Sequence, residues 1–441
     1  MVPGLRARSS LYRLGALLLA AMALSFVQAQ LEGTTITVAL RSLPETDVIV
    51  ARLPEFQRDT GITVNIVTYP ELLLRERTIA DLSTGAGLFD VIAVDSVWVP
   101  ELVEAGWLLP LTVFVTDEDD IGDFAQSSLD LFSWQGAIYG APVYAEITHL
   151  MYRKDLFEDA GFDPPETLEE LREIAAHFHD PPRMHGIALR GLRGDGMNIY
   201  VWSQWLRSFG GEFLDEETRP IFNDEAGVRA TEEYASLLRD YGPLGVASYG
   251  WDEVQTAFVT GRTAMIIDAN NFYTRIEDPN RSDIAGRIGY ANVPAGPAGQ
   301  FPGNYALGFA ISAVGAVDEA EQQAATRFIM WATSAEMQLA SIDAGIVSQT
   351  RTSVLESDAF SERIDGDWIQ STLESWELTH ANYRPRFPGW RVMGSALGIA
   401  VEEVIAGIKP AQQALDEAAA ATETAFGDVG ILGQPRPYDL P

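Results

Sequence analysis

Short apolar runs alternate with amphipathic segments near the start of the chain. β-Branched runs bounded by Gly or Pro predict buried strands, and apolar residues three or four apart that end before Gly predict helices. These criteria give strands and helices in turn at residues 34–40, 48–59, 62–69, 72–84, 90–94 and 97–105. The alternation is typical of βαβ units, so we expect an α/β fold with a parallel sheet between helices.

The same pattern continues to the C-terminus with longer helices. Strands are predicted at residues 137–142, leading into 143–153, and at 186–189, 265–268, 289–293 and 305–312. Helices are predicted at 167–178, 200–209, 227–241, 251–260, 320–332 and across the Ala-rich region 397–426. Thr167 and Glu170 form a capping box at the start of one of them. Because no internal repeat or long low-complexity linker occurs, we expect the chain to cross more than once between its domains.

Length and composition narrow the class of protein. A chain of 441 residues is too long for one small core and predicts two or more domains. The absence of cysteine excludes disulfides, thiol nucleophiles and lipid attachment at cysteine. A net charge of −33 disfavours partners such as nucleic acid and anionic membranes, because binding phosphate requires Lys and Arg.

The first residues have the pattern of a secretory signal. Arg6, Arg8 and Arg13 precede an uncharged apolar run at 14–27, and Val27-Gln28-Ala29 then matches the small-x-small cleavage pattern imperfectly. The run is too short to span the roughly 30 Å hydrocarbon core as a helix. We therefore expect cleavage near Ala29 and a periplasmic protein.

Motifs for cofactors are absent. Gly191, Gly194 and Gly196 lack the Lys-Ser/Thr and the spacing of nucleotide-binding loops. His177 and His179 are two residues apart, so on a helix they face different directions and do not form a metal site. We predict no cofactor and no metal. Paired carboxylates of a secreted glycoside hydrolase remain as an alternative, because their spacing depends on the fold.

Seven segments in order along the chain resemble one family. They are LPEFQRDTGITVNIV (53–67), LFDVIAVDSVWVPELVEAGWLLPL (88–111), APVYAEITHLMYRKDLFEDAGFDPPETLEEL (141–171), AFVTGRTAMIID (257–268), NVPAGPAG (292–299), ATRFIMWATSAEMQ (325–338) and GIVSQTRTSV (345–354). The chain resembles the extracellular (periplasmic) solute-binding proteins of carbohydrate ABC importers, family 1, of the maltose- and polyol-binding type. The segment IALRGLRGDGMNIY (187–200) is most similar to the polyol-binding members.

The resemblance implies a two-lobed periplasmic-binding-protein fold (type II, maltose-binding-like) with a ligand cleft between the lobes. It places the chain crossings near 141–146, 304–308 and 345–350. The N-terminal lobe would comprise 30–143 plus 306–346, and the C-terminal lobe 144–305 plus 347–441. It further implies a monomeric, non-enzymatic protein that binds a sugar or polyol and delivers it to the transmembrane permease subunits of an ABC importer.

A buried sugar or polyol needs carboxylates, Arg and amides for its hydroxyls and aromatic rings for its C–H faces. The resemblance places a ligand-binding carboxylate at Glu146; a hinge salt bridge is the competing role. Polar candidates that follow or end strands are Arg41, Asp95, Arg190 and Asp268, with Asn271, Asn304 and Tyr305 as further candidates. Asp95 could instead cap a helix, and Arg190 could form a salt bridge.

Aromatic candidates are chosen by their predicted positions in loops. Trp251 follows Gly250, and Trp390 follows Gly389, so both are expected outside the core and able to stack on a ligand. Trp202 and Trp205 lie three residues apart on one helix and are expected in the core. In the hydrolase alternative, two of Asp95, Glu146 and Asp268 would flank a glycosidic bond.

Overall fold

A computed structural model describes residues 31–116 and 119–439 of the chain. The predicted secretory signal at 1–29 lies outside the described residues. In the described ranges, no helix has the length and apolar character needed to cross a membrane.

The strands match the predicted apolar runs closely. They are β1 (Thr35–Arg41), β2 (Thr63–Tyr69), β3 (Val91–Asp95), β4 (Leu108–Leu109), β5 (Ser133–Trp134), β6 (Ala137–Ile138), β7 (Gly140–Arg153), β8 (His185–Ala188), β9 (Thr263–Ala269), β10 (Ile288–Ala291) and β11 (Asn304–Ser312). The predicted stretch 137–142 and its continuation at 143–153 are divided at Tyr139, which separates the hairpin of β5 and β6 from the start of β7.

The longer helices also lie where the apolar spacing predicts them. Those of the N-terminal region are α1 (Pro44–Thr60), α2 (Glu71–Thr84), α3 (Val99–Glu104), α4 (Gln126–Asp130), α5 (Lys154–Ala160) and α6 (Leu168–Phe178). The middle region holds α7 (Asn198–Ser208), α8 (Glu225–Tyr241), α9 (Trp251–Val259) and α10 (Tyr273–Ile276). The C-terminal region holds α11 (Glu319–Ala332), α12 (Ala335–Asp343), α13 (Thr352–Leu355), α14 (Asp358–Ser361), α15 (Gly366–Leu378), α16 (Trp390–Ile405) and α17 (Ala411–Asp428).

Local details of the helices confirm some predictions and correct others. The capping box of Thr167 and Glu170 is present at the start of α6. The Ala-rich region is two helices, α16 and α17, because Pro410 cannot continue a helix and instead precedes the next one. Trp202 and Trp205 are fully buried, as expected.

The main sheet is mixed, with the order β2-β1-β3-β11-β7-β9-β8, and β4 pairs with β11 and β10 with β7. Only the pairs β1–β2, β1–β3 and β8–β9 are parallel. The prediction of a parallel sheet is therefore right for the βαβ units and wrong for the centre. There β11 runs antiparallel to both β3 and β7, and β7 runs antiparallel to β9.

Strand β7 connects the strands on one side of this sheet to those on the other. Its first half pairs with β11, and its second half pairs with β9 and β10. We call β1–β4, β11 and the first half of β7 the first part of the sheet, and β8–β10 with the second half of β7 the second part. All 14 residues of β7 are buried. The two parts therefore meet at the middle of one continuous strand.

The three predicted crossings lie side by side at this meeting point. Glu146 of β7 pairs with Tyr305 of β11. Segment 345–350 runs beside β7, since Ala145 N donates to Ser348 O at 3.1 Å and Thr350 Oγ1 donates to Pro142 O at 2.9 Å. Side chains on these segments converge where the first and second parts join.

Candidate functional site

The junction between the two parts carries a buried carboxyl group. Tyr144 and Glu146 are two residues apart on β7, so they lie on the same face of the strand. The Tyr144 hydroxyl donates to Glu146 Oε2 at 2.9 Å. Burial raises the pKa of Glu146 to about 7, although the positive charge of Arg190 and the Tyr144 hydrogen bond oppose this rise.

Arg41 and Tyr305 extend this cluster into the first part of the sheet. Arg41 is the last residue of β1, and its Nη1 donates to the Tyr305 hydroxyl at 3.0 Å. The ring centroids of Tyr305 and Tyr144 are 5.6 Å apart. These contacts join the ends of β1 and β11 to the centre of β7, as expected for polar groups at strand ends.

Arg190 and Asp268 form a buried ion pair on the second part. Arg190 Nε lies 3.2 Å from Asp268 Oδ1 and 3.0 Å from Oδ2, and Nη2 also contacts Oδ1. The side chains are 6% and 0% exposed. Burial disfavours the charged form of Arg190. The Asp268 carboxylate stabilises that form more strongly, so the pKa of the guanidinium is raised. The salt bridge considered for Arg190 is therefore present.

Tyr200, in α7, lies between two guanidinium groups. Arg190 Cζ is 4.7 Å from the ring centroid and Arg384 Cζ is 5.2 Å from it. Arg384 also lies 6.0 Å from the ring of Tyr305, which connects the two sides of the cluster. Within residues 31–116 and 119–439, the buried Tyr200 hydroxyl has no hydrogen-bond partner. An unpaired buried hydroxyl is costly, so this group favours a ligand that supplies a partner.

These contacts connect eight side chains, which we call the junction site: Arg41, Tyr144, Glu146, Arg190, Tyr200, Asp268, Tyr305 and Arg384. Glu45 lies beside it; its Oε1 accepts from Ser348 Oγ at 2.6 Å, and burial raises its pKa against the charge of Arg41. Three arginines thus face three acidic side chains, in a chain whose net charge is −33. The site combines basic and acidic side chains, hydrogen-bonding groups and aromatic rings, which suits an uncharged ligand with many hydroxyl groups.

Two of the three other polar candidates, Asp95 and Asn304, form hydrogen bonds with the backbone. Asp95 Oδ1 accepts from Val97 N at 3.0 Å and caps a 3₁₀ helix, which is the competing role considered from the sequence. Asn304 Nδ2 donates to His380 O at 2.8 Å. Asn271 lies in a short 3₁₀ helix, but its neighbour Asn270 contacts the junction, accepting from Ile147 N at 3.1 Å.

The two tryptophan candidates are the first residues of helices. The expected loop position of Trp390 is wrong: it begins α16, is 1% exposed and packs edge-to-face on Phe213 with centroids 5.6 Å apart. The loop expected after Gly389 does not occur because the helix starts at once. Trp251 begins α9 and is 41% exposed, so its ring is accessible.

Sequence reasoning missed Tyr144, Tyr200, Arg384 and Glu45. The strand period of two could have linked Tyr144 to Glu146. The other three carry no local signal, because long-range packing brings them to the site. In the described part of the chain, no group of three or more His, Asp or Glu side chains is placed to hold a metal ion.

The fold and the junction site define a binding protein built around shared central strands. Residues 43–339 match the family model described as "Bacterial extracellular solute-binding protein". The match covers more than half of the chain, so the chain belongs to this family. The resemblance inferred from the sequence is confirmed, and the family is extracellular.

Relatives and solved structures agree with this assignment. The mannitol-binding protein of Pseudomonas aeruginosa is 29% identical over 395 residues, which cover 85% of this chain and 88% of the relative. A ribitol complex of an ABC transporter solute-binding protein from Agrobacterium radiobacter is 28% identical, with a TM-score of 0.81 over 90% of this chain and 100% of that one. A protein of the same kind from Agrobacterium vitis, with bound D-mannitol, is 30% identical, with a TM-score of 0.79 over 90% and 99%.

The fold class is confirmed as well. A maltose-bound structure from Thermotoga maritima has a TM-score of 0.79 at 24% identity and covers 89% of this chain and all of that one. This shows the maltose-binding-like α/β fold. The family consists of solute-binding proteins, which confirms a binding protein rather than an enzyme. The comparisons give no support to the glycoside hydrolase alternative.

Proposed function

We propose that this protein binds a sugar or polyol at the junction site and delivers it to an ABC importer. The observation that carries this proposal is the buried Tyr200 hydroxyl, which has no hydrogen-bond partner among residues 31–116 and 119–439, while two guanidinium groups lie over its ring. A ligand hydroxyl would supply that partner. The relatives named as binding mannitol, or solved with ribitol or D-mannitol, support a polyol.

The junction site offers a role for each kind of group on such a ligand. Glu146 and Asp268 accept hydrogen bonds from ligand hydroxyls, and Arg41, Arg190 and Arg384 donate them. The rings of Tyr144, Tyr200 and Tyr305 provide apolar surface for C–H groups. The exposed ring of Trp251 is a further proposed contact. We leave Trp390 out, since its ring packs in the core.

The same arrangement supports a division into two lobes. We infer an N-terminal lobe of 30–143 plus 306–346 and a C-terminal lobe of 144–305 plus 347–441. The antiparallel pairing of β7 and β11 at the junction supports this division. A ligand that touches both lobes stabilises the closed arrangement, which the transmembrane permease subunits would recognise. The signal at 1–29, cleaved near Ala29, would place a monomeric protein in the periplasm.

A thermal unfolding screen tests the function. Purified protein without its first 29 residues is mixed with D-mannitol, ribitol, erythritol, maltose and monosaccharides. A ligand at 100 times its Kd stabilises the protein by about 2.7 kcal/mol, so the binder is identified by a raised Tm. The bound compound should be recovered chemically unchanged. A screen in which no sugar or polyol raises the Tm, or release of products from labelled glycans, would contradict the proposal.

A further inference from the structure

Arg386 is a buried arginine whose hydrogen bonds go to amide oxygens. Its side chain donates from Nη1 to Leu131 O at 2.5 Å, from Nη2 to Ser133 O at 3.2 Å and from Nε to Asn382 Oδ1 at 3.4 Å. It is 6% exposed, and in the part of the chain that the structure describes it forms no ion pair. Burial lowers the pKa of Arg386 to about 10, with only the charge of Asp130 opposing.

The two backbone acceptors lie in a turn that packs against the first part of the sheet. Leu131 and Ser133 flank Phe132, which is fully buried. The Phe132 ring lies against Gly308 of β11 so closely that a Cβ on Gly308 would be 2.6 Å from Phe132 Cε1. Phe132 O also accepts from Tyr139 N at 2.9 Å, just before β7 begins. This turn is therefore fixed to the central strands of the first part.

Residues 382–387 carry Arg386. This segment forms hydrogen bonds with the side of the molecule that contains the second part of the sheet. The Tyr383 hydroxyl donates to Tyr200 O in α7 at 2.6 Å, and Arg384 Nη1 donates to Asp195 O at 3.0 Å. Helix α7 packs on α8, which in turn packs on β8 of the second part. The hydrogen bonds of Arg386 therefore join the two sides of the molecule outside the shared strands.

The same short segment reaches the junction site. Arg384 lies over the rings of Tyr200 and Tyr305, two residues before Arg386 and separated from it by Pro385. All residues of 382–387 are buried. Because proline restricts the backbone here, a shift of Arg386 relative to the first part also shifts Arg384.

We propose that Arg386 is a positioning residue for ligand binding, which holds segment 382–387 against the turn at 131–133 and so keeps Arg384 over the junction site. This role rests on the proposed function. When the two sides separate, water replaces the carbonyl partners of Arg386. Its hydrogen bonds therefore favour the arrangement in which the site residues converge, and they slow release of the ligand rather than capture.

The test compares ligand kinetics in three variants with those of the wild-type protein. Arg386→Met removes the donors, and Arg386→Lys keeps one charged donor. Arg436→Met is the matched control, because Arg436 is half-buried and donates to Leu214 O at 3.1 Å and Tyr438 O at 3.2 Å, neither in the turn at 131–133. Association and dissociation rates are measured by stopped-flow tryptophan fluorescence with the polyol or sugar found in the thermal screen.

We expect R386M to raise the dissociation rate about tenfold, while the association rate stays within about twofold of wild type. The dissociation rate of R386K should lie between those of R386M and wild type, and the dissociation rate of R436M should match that of wild type. The order of affinities over a panel of polyols should not change, because Arg386 does not touch the ligand. Equal dissociation rates in R386M and wild type, or an equal rise in R436M, would overturn the proposal. Should R386M fail to fold, R386K decides the question by the same comparison.

A ligand-free measurement separates this proposal from the proposed function. Small-angle scattering of R386M without ligand should give a larger radius of gyration than wild type and R436M. If no sugar or polyol binds wild type, the proposed function fails, but scattering still tests the contact. If wild type binds and all proteins scatter alike, the role of Arg386 is wrong and the proposed function stands.

Discussion

The hydroxyl of Tyr144 donates to the buried carboxyl of Glu146 at 2.9 Å, at the point where β7 passes from one part of the sheet to the other. The hydrogen bond and the charge of Arg190 do not compensate for burial, so the pKa of Glu146 stays at about 7. The folded protein therefore holds a proton on this side chain at a pH where the unfolded chain has lost it.

Because of this difference in protonation at Glu146, the free energy of unfolding depends on pH. Between pH 4.5, the ordinary pKa, and about 7, the folded state binds more protons than the unfolded state. The contribution of Glu146 to the free energy of unfolding is thus greatest at low pH and is lost as the pH rises to 7. We expect wild type to lose about 3 kcal/mol relative to Glu146→Gln across this window. Urea unfolding of both proteins at pH 4.5, 6 and 8 measures this loss. The same pH dependence of the free energy of unfolding in wild type and variant would contradict the prediction.

Removing the Tyr200 hydroxyl should separate binding from stability. Tyr200→Phe deletes a buried group that has no partner within the described residues, so the ligand-free protein should become about 1 kcal/mol more stable. Affinity for the ligand should fall about tenfold, because in the proposed function a ligand hydroxyl is the partner of this group. Calorimetry and thermal unfolding measure the two effects. The control is Tyr234→Phe, whose hydroxyl donates to Arg190 O at 2.6 Å, so there the stability should fall.

Breaking the buried ion pair should be costly. Asp268→Asn leaves the guanidinium of Arg190 buried without a counter-charge, and we expect a loss of about 3–5 kcal/mol in the free energy of unfolding. Asp343→Asn is the control, because the Arg363–Asp343 pair is 51% and 71% exposed and should matter by less than about 1 kcal/mol. Equal losses in the two variants, measured by denaturant unfolding, would show that burial does not set the cost.

The two tryptophan candidates should differ in their effects on folding. Trp390 is buried against Phe213, so Trp390→Ala should lower the free energy of unfolding by about 3–5 kcal/mol. Trp251→Ala removes a ring that is already 41% exposed and should cost less than about 1 kcal/mol. Denaturant midpoints compare them, and similar midpoints would refute the assignment of Trp390 to the core.

The positions of strands and helices were largely readable from the sequence, because apolar periodicity and Gly or Pro boundaries are local. Strand direction was not: the pattern of β11 is the same whichever way it pairs with β3 and β7. Arg41, Glu146, Arg190, Asp268 and Tyr305 are brought together, since each lies in or just after a strand of the main sheet. Arg384 could not be found, because a loop distant in sequence carries it to the site.

Strand β7 takes part in three hydrogen-bond ladders, one with β11 in the first part of the sheet and two with β9 and β10 in the second part. Neither half of the molecule can satisfy its central backbone groups if the other is cut away, because each would keep only part of that strand. Fragments expressed separately would expose unpaired strand edges and would be prone to aggregate. The intact chain is therefore expected to unfold as one cooperative unit.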